Sequence, residues 1–513
     1  MNKKGIGENT ANPKRLAVNT LHLYFRSFLI LLVNLYTSRI ILEILGVEDY
    51  GIYNVVGGIV IMFSVISASL SNSITRYISY ELGKKDFENL SLIFSTSINI
   101  QCLISLLIIL LTETIGLWFM YTQMNIPDGR VNAAFWVLQW SVFTFTIQLI
   151  SIPYNASIIA HEKMAAFAYI GILEVFLKLL SVYAILISPY DKLTSYSFFI
   201  AVSAILIRAI YGLYCKKHFE ECNYKFVLNK KLTLELFGFA GWNFLGTSAY
   251  IFNTQGVNLL SNVFFGVIVN AARGIASQAE AGVRQFVNNF TTALNPQIIK
   301  LYAEKNFDSC FSIVRKGGKY SYFLMLYFFI PFVLESNYIL QLWLKEVPEY
   351  ATIFWQLAML GTLVDLPGAP LTILAQATGE IKKFYIVMGA LGCLVLPISY
   401  LLYKIGLPPE SSYWCYVIVY SYLVFVRLFL LNRQIAFPIR LFINEVIRPI
   451  IIVTSVAFII PAFIKYYFYP GLFRFSIILL VSFLSTSASI FILGMGENER
   501  LYVTGYLRKK FNL

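Results

Sequence analysis

One stretch of a strongly apolar chain carries charged side chains at helical spacing. In NAARGIASQAEAGVRQFVNN, residues 270–289, the charged residues are Arg273, Glu280 and Arg284. At about 100° per residue, an α-helix places these three side chains in one narrow stripe. Glu280 is expected to pair with Arg284 at i,i+4, which leaves Arg273 without an oppositely charged neighbour on its own helix. The stripe is therefore expected either to pair with a neighbouring helix or to line a hydrated, net-positive cavity that takes an anion.

Two further basic residues inside apolar runs have an acidic residue four positions away. Lys178 follows Glu174, and Arg39 precedes Glu43. Local ion pairs would explain how these charges are tolerated in a membrane, where a basic residue at the centre of a helix costs roughly 2.5–3.5 kcal/mol. For Lys178 we expect a cavity-facing role, with Glu174 tuning its charge.

Asp365 carries the opposite charge: it is a carboxylate in the middle of an apolar run. Pro367 and Pro370 follow it and break the helix there. Such a group is a candidate site for a coupling ion or proton, or a partner for an arginine elsewhere in the chain. Four other arginines lie within a few turns of expected cytoplasmic helix ends, where their side chains can reach the interface: Arg26, Arg76, Arg208 and Arg427.

The composition places these charges in a membrane protein. The 513 residues are 58% hydrophobic and only 13% charged, whereas soluble domains carry about 25% charged residues. Apolar runs of about 20 residues recur throughout. We predict an all-α integral membrane protein with about 14 transmembrane helices: 20–45, 51–80, 91–120, 132–159, 166–188, 194–215, 233–262, 267–297, 319–343, 351–378, 384–403, 412–431, 446–468 and 473–494.

Lysine and arginine in the connecting loops predict the orientation. Alternate loops hold 26 of these residues, and the remaining loops hold only six: Arg130, Lys192, Lys345, Lys404, Lys465 and Arg474. The positive-inside rule then places both termini in the cytoplasm. The formal net charge of +13 is therefore mainly a signal of topology, and no nucleic-acid partner is expected.

An internal repeat with an offset near 220 residues divides the chain. Segment 44–53 corresponds to 264–276, 83–87 to 303–307, 113–119 to 335–344, and 152–163 to 366–380. A repeat of six spans predicts two six-helix lobes in parallel orientation, plus two C-terminal helices. The expected parts are a cytoplasmic tail (1–19), an N-lobe (20–215), a cytoplasmic linker (216–232), a C-lobe (233–431), helices 13 and 14 (446–494) and a second cytoplasmic tail (495–513).

Three segments resemble a known family. SRIILEILGVEDYGIYNVVGGIVIMFS (38–64), YNASIIAHEKMAAFAYI (154–170) and NFTTALNPQIIKLYA (289–303) are similar to the bacterial polysaccharide and O-antigen flippases of the multidrug/oligosaccharidyl-lipid/polysaccharide (MOP) exporter superfamily. The most specific part is L-G-x-x-x-Y-G-x-Y after the first helix. The resemblance covers essentially the whole chain.

The resemblance implies a function and its partners. It implies a flippase that moves undecaprenyl-diphosphate-linked oligosaccharide across the bacterial inner membrane, by alternating access of two lobes, for polysaccharide or lipopolysaccharide synthesis. Its partners would be that lipid, membrane lipids, a proton or sodium ion as coupling ion, and the polysaccharide polymerase machinery. A diphosphate suits a cationic cavity. The residues predicted to contact it are, in order, Arg273, Arg284, Lys178, Arg39, Arg26 and Arg76, with Glu280, Glu174 and Asp365 as tuning or coupling groups.

Several alternatives remain open at this stage. A lipid-linked peptidoglycan-precursor flippase shares the charge pattern, and a drug or cation antiporter of the same superfamily shares the fold but favours carboxylates. A membrane glycosyltransferase or polymerase needs a large loop or paired carboxylates, and the sequence has neither. C-K-K-H-F-E-E-C (215–222) fits no standard zinc spacing, so neither metal nor cofactor is expected.

Overall fold

The structure is a computed structural model that describes most of the chain. It covers residues 13–64, 70–71, 73–75, 77–78, 81–82, 87–161, 163–227, 229–230, 232–234, 252–379, 381–497, 499–501 and 504. The side chains of 13–28, 87, 289, 292, 293, 295–297, 300, 303 and 381 are not described. The chain divides into two compact units, Met1–Phe244 (unit 1) and Leu245–Leu513 (unit 2).

Unit 1 is helical wherever it has regular structure among the described residues. Helix α4 packs against α6, and α1 packs against α5. A π-helical turn, Thr112–Gly116, joins α2 to α3. The helices are α1 (Pro13–Ile61), α2 (Phe87–Leu111), α3 (Leu117–Thr122), α4 (Val131–Ala160), α5 (Met164–Ala184) and α6 (Lys192–His218).

Unit 2 is likewise helical in its described part. The break after Asp365 is a 3-10 turn, Leu366–Gly368, which separates two helices where prolines 367 and 370 were expected to interrupt one. The helices are α7 (Val257–Phe265), α8 (Val267–Ala303), α9 (Phe307–Leu334), α10 (Ser336–Trp343), α11 (Ala351–Asp365), α12 (Ala369–Ala377), α13 (Ile381–Gly392), α14 (Val395–Lys404), α15 (Ser411–Ile435), α16 (Ile439–Phe442), α17 (Arg448–Tyr467) and α18 (Leu472–Ser489).

The prediction of an all-α, multi-pass membrane protein is confirmed. Eleven helical segments among the described residues are long and apolar enough to cross a bilayer. The first of them, Leu29–Ile61, contains the end of one predicted span and the start of the next. Three predicted spans are not among the eleven. Part of 51–80 and more than half of 233–262 lie outside the described residues, and 267–297 lies within the more polar helix α8.

The predicted repeat is visible in the backbone of the two units. Gly46 interrupts α1 with φ 80° and ψ 172°, and Gly266 separates α7 from α8 with φ 79° and ψ −174°. These left-handed φ values favour glycine at both junctions. Helices α2 and α9 begin at residues 87 and 307, and α4 and α11 begin at 131 and 351, so each pair has the same offset of 220.

The last two spans are fixed to α9 by ion pairs at both ends. At one end Glu335 and Arg474 form an ion pair, with one hydrogen bond from Nη2 to Oε2 at 2.8 Å and a charge contact between Nε and Oε1 at 2.7 Å. Two more pairs act at the other end, Arg315–Glu445 at 2.7 Å and Lys319–Glu499 at 2.8 Å. Because α9 holds both ends of this hairpin, helices α17 and α18 are an integral part of unit 2.

Candidate functional site

Arg273 projects from α8 toward α15 of the same unit. Its Nη1 donates to Ser412 Oγ at 3.2 Å, and its guanidinium carbon lies 4.7 Å from the centre of the Tyr413 ring. Both contacts are with neutral groups, and within the described residues no carboxylate pairs with this guanidinium. A hydroxyl and an aromatic face stabilise the cation without cancelling its charge. Arg273 therefore keeps its positive charge uncompensated by protein carboxylates in the described structure.

Glu280 lies one step along the same stripe and is buried. Thr362 Oγ1 on α11 donates a hydrogen bond to Glu280 Oε1, and Arg284 Nη1 lies 3.6 Å from the same oxygen. The i,i+4 contact that the spacing predicted is thus present. The stripe also pairs with neighbouring helices, since Glu280 contacts α11 and Arg273 contacts α15. The charge of Glu280 is balanced by Arg284, so the net charge of the stripe comes from Arg273.

Asp365 is held by Arg427, a pairing that sequence spacing did not indicate. Arg427 Nη1 donates to Asp365 Oδ1 at 2.7 Å. Arg427 is only 8% exposed, so the expectation that it reaches the interface is wrong. The guanidinium lies where a side chain at Gly368 would be, since a Cβ there would fall 1.8 Å from Nη1. The turn Leu366–Gly368 therefore both ends α11 and makes room for the arginine.

The Asp365–Arg427 pair lines a cavity of about 200 Å³ within unit 2. Its walls come from α11, α12, α13 and α15. The other lining residues are Thr372, Phe384, Tyr385, Met388, Gly389, Gly392, Tyr420 and Leu423. The stripe of α8 does not contribute to this lining, so the predicted site residues of unit 2 occupy two separate places.

In unit 1 the structure describes the side chains of three predicted site residues: Lys178, Glu174 and Arg39. Lys178 Nζ contacts Glu174 Oε1 at 2.8 Å, as the spacing predicted. Arg39 on α1 is half-buried, and the described part of the chain shows no ion pair between it and Glu43. The side chain of Arg26 and all of Arg76 lie outside the described residues.

A charged network at the junction in α1 was not anticipated from the sequence. Arg130 donates from Nε to Asp49 Oδ1 at 2.7 Å, binds the second oxygen of Asp49 through Nη2, and reaches Asp191 Oδ2 at 2.7 Å. Lys192 Nζ donates to Ile44 O at 3.4 Å. The network thus joins the break at Gly46 to the starts of α4 and α6. Burial favours a raised pKa for Asp191, but hydrogen bonds from Arg130 and the Thr194 backbone hold that pKa below its ordinary value.

This network gives the motif L-G-x-x-x-Y-G-x-Y a structural role. Gly46 provides the break, and Asp49 provides the carboxylate for Arg130. Tyr50 is buried, and the Tyr53 ring lies 4.9 Å from the Tyr196 ring in an edge-on arrangement. The motif therefore fixes the α1 junction against α4 and α6.

The segment 215–222 forms a packed corner of unit 1. His161 Nε2 lies 2.6 Å from Glu221 Oε1, and the His161 ring stacks on Phe219 at 4.0 Å. Burial favours a raised pKa for Glu221, but the bond to His161 lowers that pKa below its ordinary value. Arg208, which was expected to reach the interface, lies 3.8 Å from the Tyr154 ring in the same region. Among the described residues no group of three or more His, Cys, Asp or Glu could hold a metal ion.

Comparison with solved structures identifies the fold. The chain is similar to the lipid II flippase MurJ in an inward closed conformation, with a TM-score of 0.64 and 14% identity over 93% of this chain and 98% of that one. It is also similar to an inward-facing multidrug resistance MATE family transporter of the MOP superfamily, with a TM-score of 0.62 and 13% identity over 79% of this chain and 94% of that one. The chain has the fold of MOP superfamily transporters.

A third similar structure is described by the polarity of its binding pocket. It is a MOP superfamily transporter from Pyrococcus furiosus, described as having a binding pocket of reverse polarity, with a TM-score of 0.58 and 14% identity over 81% of this chain and 95% of that one. No protein-family model and no curated protein sequence matches the chain. At these identities the comparisons establish the fold, and the cargo must be argued from this chain's own residues.

Proposed function

We propose that the protein is a flippase that moves undecaprenyl-diphosphate-linked oligosaccharide units across the bacterial inner membrane, with both termini in the cytoplasm. The fold supports a transporter, because the chain matches a lipid II flippase over nearly the whole length of both proteins. The observation that carries the anionic cargo is the uncompensated charge of Arg273. In a membrane helix such a charge calls for water or an anionic ligand.

The state of the carboxylates supports an anionic cargo over a cationic one. Glu280 has Arg284 at 3.6 Å, and Asp365 has Arg427 at 2.7 Å. A drug or cation antiporter needs carboxylates that are available to a cation, and both of these are already matched. A peptidoglycan-precursor flippase is the second candidate, because its cargo is also a lipid diphosphate. One of the similar solved structures is itself named as a lipid II flippase.

The roles of the remaining residues are part of the proposal. Arg273 and Arg284 bind the diphosphate, with Glu280 tuning the stripe. In unit 1, Lys178, Arg39, Arg26 and Arg76 are proposed as contacts of the anionic cargo, with Glu174 tuning Lys178. Asp365 serves as a proton- or ion-coupling group if its bond to Arg427 opens during transport.

The cargo can be tested by deleting the gene and locating the lipid-linked oligosaccharide by leaflet. We expect complete units to accumulate on the cytoplasmic leaflet. A missing or shortened unit would instead point to a glycosyltransferase. Accumulation of a peptidoglycan precursor would favour the second candidate.

The site can be tested by charge reversal at Arg273. One charged hydrogen bond is worth about 1.5–3 kcal/mol, and each 1.4 kcal/mol corresponds to a factor of about ten. Arg273→Glu should therefore lower export at least tenfold at normal expression, whereas Arg273→Lys should retain part of it. Arg440→Glu, the same reversal at an exposed residue of α16, is the matched control. Full export by Arg273→Glu would remove this residue from the mechanism.

A further inference from the structure

The cavity beside Asp365 and Arg427 has features of a binding site that the proposed diphosphate does not use. Arg427 lines this cavity and is more than nine-tenths buried, and among the described residues neither its Nε nor its Nη2 has a hydrogen-bond partner. Its Nη1 alone engages Asp365. A buried guanidinium with an unsatisfied donor beside a cavity of about 200 Å³ is costly unless a further ligand compensates for it.

Other polar groups of the lining offer both donors and acceptors. Tyr385 Oη accepts a hydrogen bond from Gln376 Nε2 at 2.7 Å, so its own O–H is available to donate. Thr372 Oγ1 donates to Gly368 O at 3.3 Å, so its oxygen is available to accept. The cavity therefore matches a ligand that carries several hydroxyl or amide groups.

While the Asp365–Arg427 pair is closed, the charge of the cavity argues against a simple ion. Asp365 and Arg427 neutralise each other at 2.7 Å. A bare cation would meet the guanidinium, and a bare anion would meet the carboxylate. Either ion would have to break a buried pair before gaining a contact. A neutral polar ligand can use the unsatisfied donors and acceptors while the pair stays intact.

The walls and the volume of the cavity restrict the class of ligand further. Phe384 and Tyr420 are buried aromatic side chains, and Tyr420 is held by stacking on Tyr416 at 3.9 Å between ring centres. Pockets for drug-sized ligands measure about 300–1,000 Å³, so a cavity of about 200 Å³ suits a single six-membered ring. A pyranose ring has apolar C–H faces for aromatic walls and hydroxyls around its edge.

We propose that this cavity binds one neutral sugar ring, with Tyr420 and Phe384 as its apolar walls and with Arg427, Asp365, Tyr385 and Thr372 at its hydroxyls. The proposal rests on the proposed function for the source of that ring, which is one residue of the lipid-linked oligosaccharide. The lining around the ring then contributes to which oligosaccharide is accepted. A hydroxyl-binding site of this kind rejects a ring that lacks hydroxyls, because its own buried polar groups would stay unpaired.

The test is direct binding to the purified full-length protein in detergent, measured by saturation-transfer difference NMR. The probes are methyl glucopyranoside and its N-acetylamino analogue, with cyclohexanol, inorganic phosphate and sodium ion as competitors. Met388→Trp fills the cavity, and Thr372→Val removes one hydroxyl at constant volume. Ile386→Trp, on the exposed side of the same helix at 50% exposure, is the matched control.

We expect a glycoside signal in the wild type and in Ile386→Trp, at least tenfold weaker binding in Met388→Trp, and an intermediate loss in Thr372→Val. Absence of binding in the wild type, or binding unchanged by both Met388→Trp and Thr372→Val, overturns the proposal. So does displacement of the sugar by phosphate or sodium at equal concentration, which would assign the cavity to an ion. Because the leaflet assay uses cells lacking the gene, the proposed function and the sugar site can each fail alone.

Discussion

The buried pair between Glu335 and Arg474 allows a quantitative test of how unit 2 is held together. The Glu335 side chain is fully buried, and Arg474 is 10% exposed. One hydrogen bond of 2.8 Å and one charge contact of 2.7 Å join them across 139 residues of sequence. Glu335→Gln keeps the shape of the side chain but leaves the guanidinium of Arg474 facing a neutral amide. The perturbation therefore removes one charge and little volume.

Breaking a buried ion pair from one side costs about 3–5 kcal/mol, whereas replacing both partners with apolar residues is often neutral or better. We expect Glu335→Gln and Arg474→Met each to lower the free energy of unfolding by that amount. The double variant Glu335→Leu/Arg474→Met should recover at least half of the loss. Glu445→Gln is the control, because Glu445 is 51% exposed in its pair with Arg315, and an exposed pair contributes about 0–1 kcal/mol.

The assay is unfolding by SDS titration in mixed micelles, followed by far-ultraviolet circular dichroism. The reasoning is refuted if Glu335→Gln behaves like Glu445→Gln. It is also refuted if the double variant loses the sum of the two single losses, because the two residues would then act independently. Either result would mean that the pairing of Glu335 with Arg474 does not account for how helices α17 and α18 are held to α9.

Two further predictions concern the helix breaks at Gly46 and Gly266 and the pH dependence of stability. Alanine at Gly46 or at Gly266 should destabilise by about 1–3 kcal/mol, since both combine φ near 80° with an extended ψ, a conformation that is essentially restricted to glycine. Gly57→Ala, with open space around its Cβ, should be neutral or mildly stabilising in the same unfolding assay. His161 lowers the pKa of Glu221 below 4.5, so this pair stabilises the fold fully above about pH 4.5 and the contribution is lost as pH falls through the lower folded pKa. Melting temperatures between pH 6 and 3 should therefore fall less steeply for Glu221→Gln than for the wild type, and equal slopes would contradict this.

Local spacing predicted two of the three pairs expected within one helix, whereas the described residues do not show the pair of Arg39 with Glu43. Glu174 with Lys178 and Glu280 with Arg284 are both four residues apart, and both contacts are present. The offset of 220 residues likewise led to Gly266 as the counterpart of Gly46. These features follow from helix geometry or from internal similarity, which a single sequence contains.

The long-range pairs could not be derived in the same way. Asp365 and Arg427 are 62 residues apart, and Arg427 looked like an interfacial residue because α15 ends two turns later. Its position depends on the small turn at Gly368, which makes room for the guanidinium. The glycine after Pro367 was a visible signal, but its partner depends on how α15 packs against α11. Sequence spacing does not contain that packing.

Whether a charged side chain of unit 2 is paired says more about function than the number of charged side chains does. Glu280, Glu335 and Asp365 each have an arginine within 4 Å. The cost of placing these carboxylates in a membrane is therefore offset within unit 2. Among the described residues, the contacts of the Arg273 guanidinium are a hydroxyl and an aromatic ring. An arginine in a membrane helix is costly on insertion, up to roughly 2.5–3.5 kcal/mol at the helix centre, and these neutral contacts leave the charge of Arg273 in place. A residue kept in that condition is best explained by a counter-charge that arrives with the cargo, which is why Arg273 ranks first among the proposed diphosphate contacts.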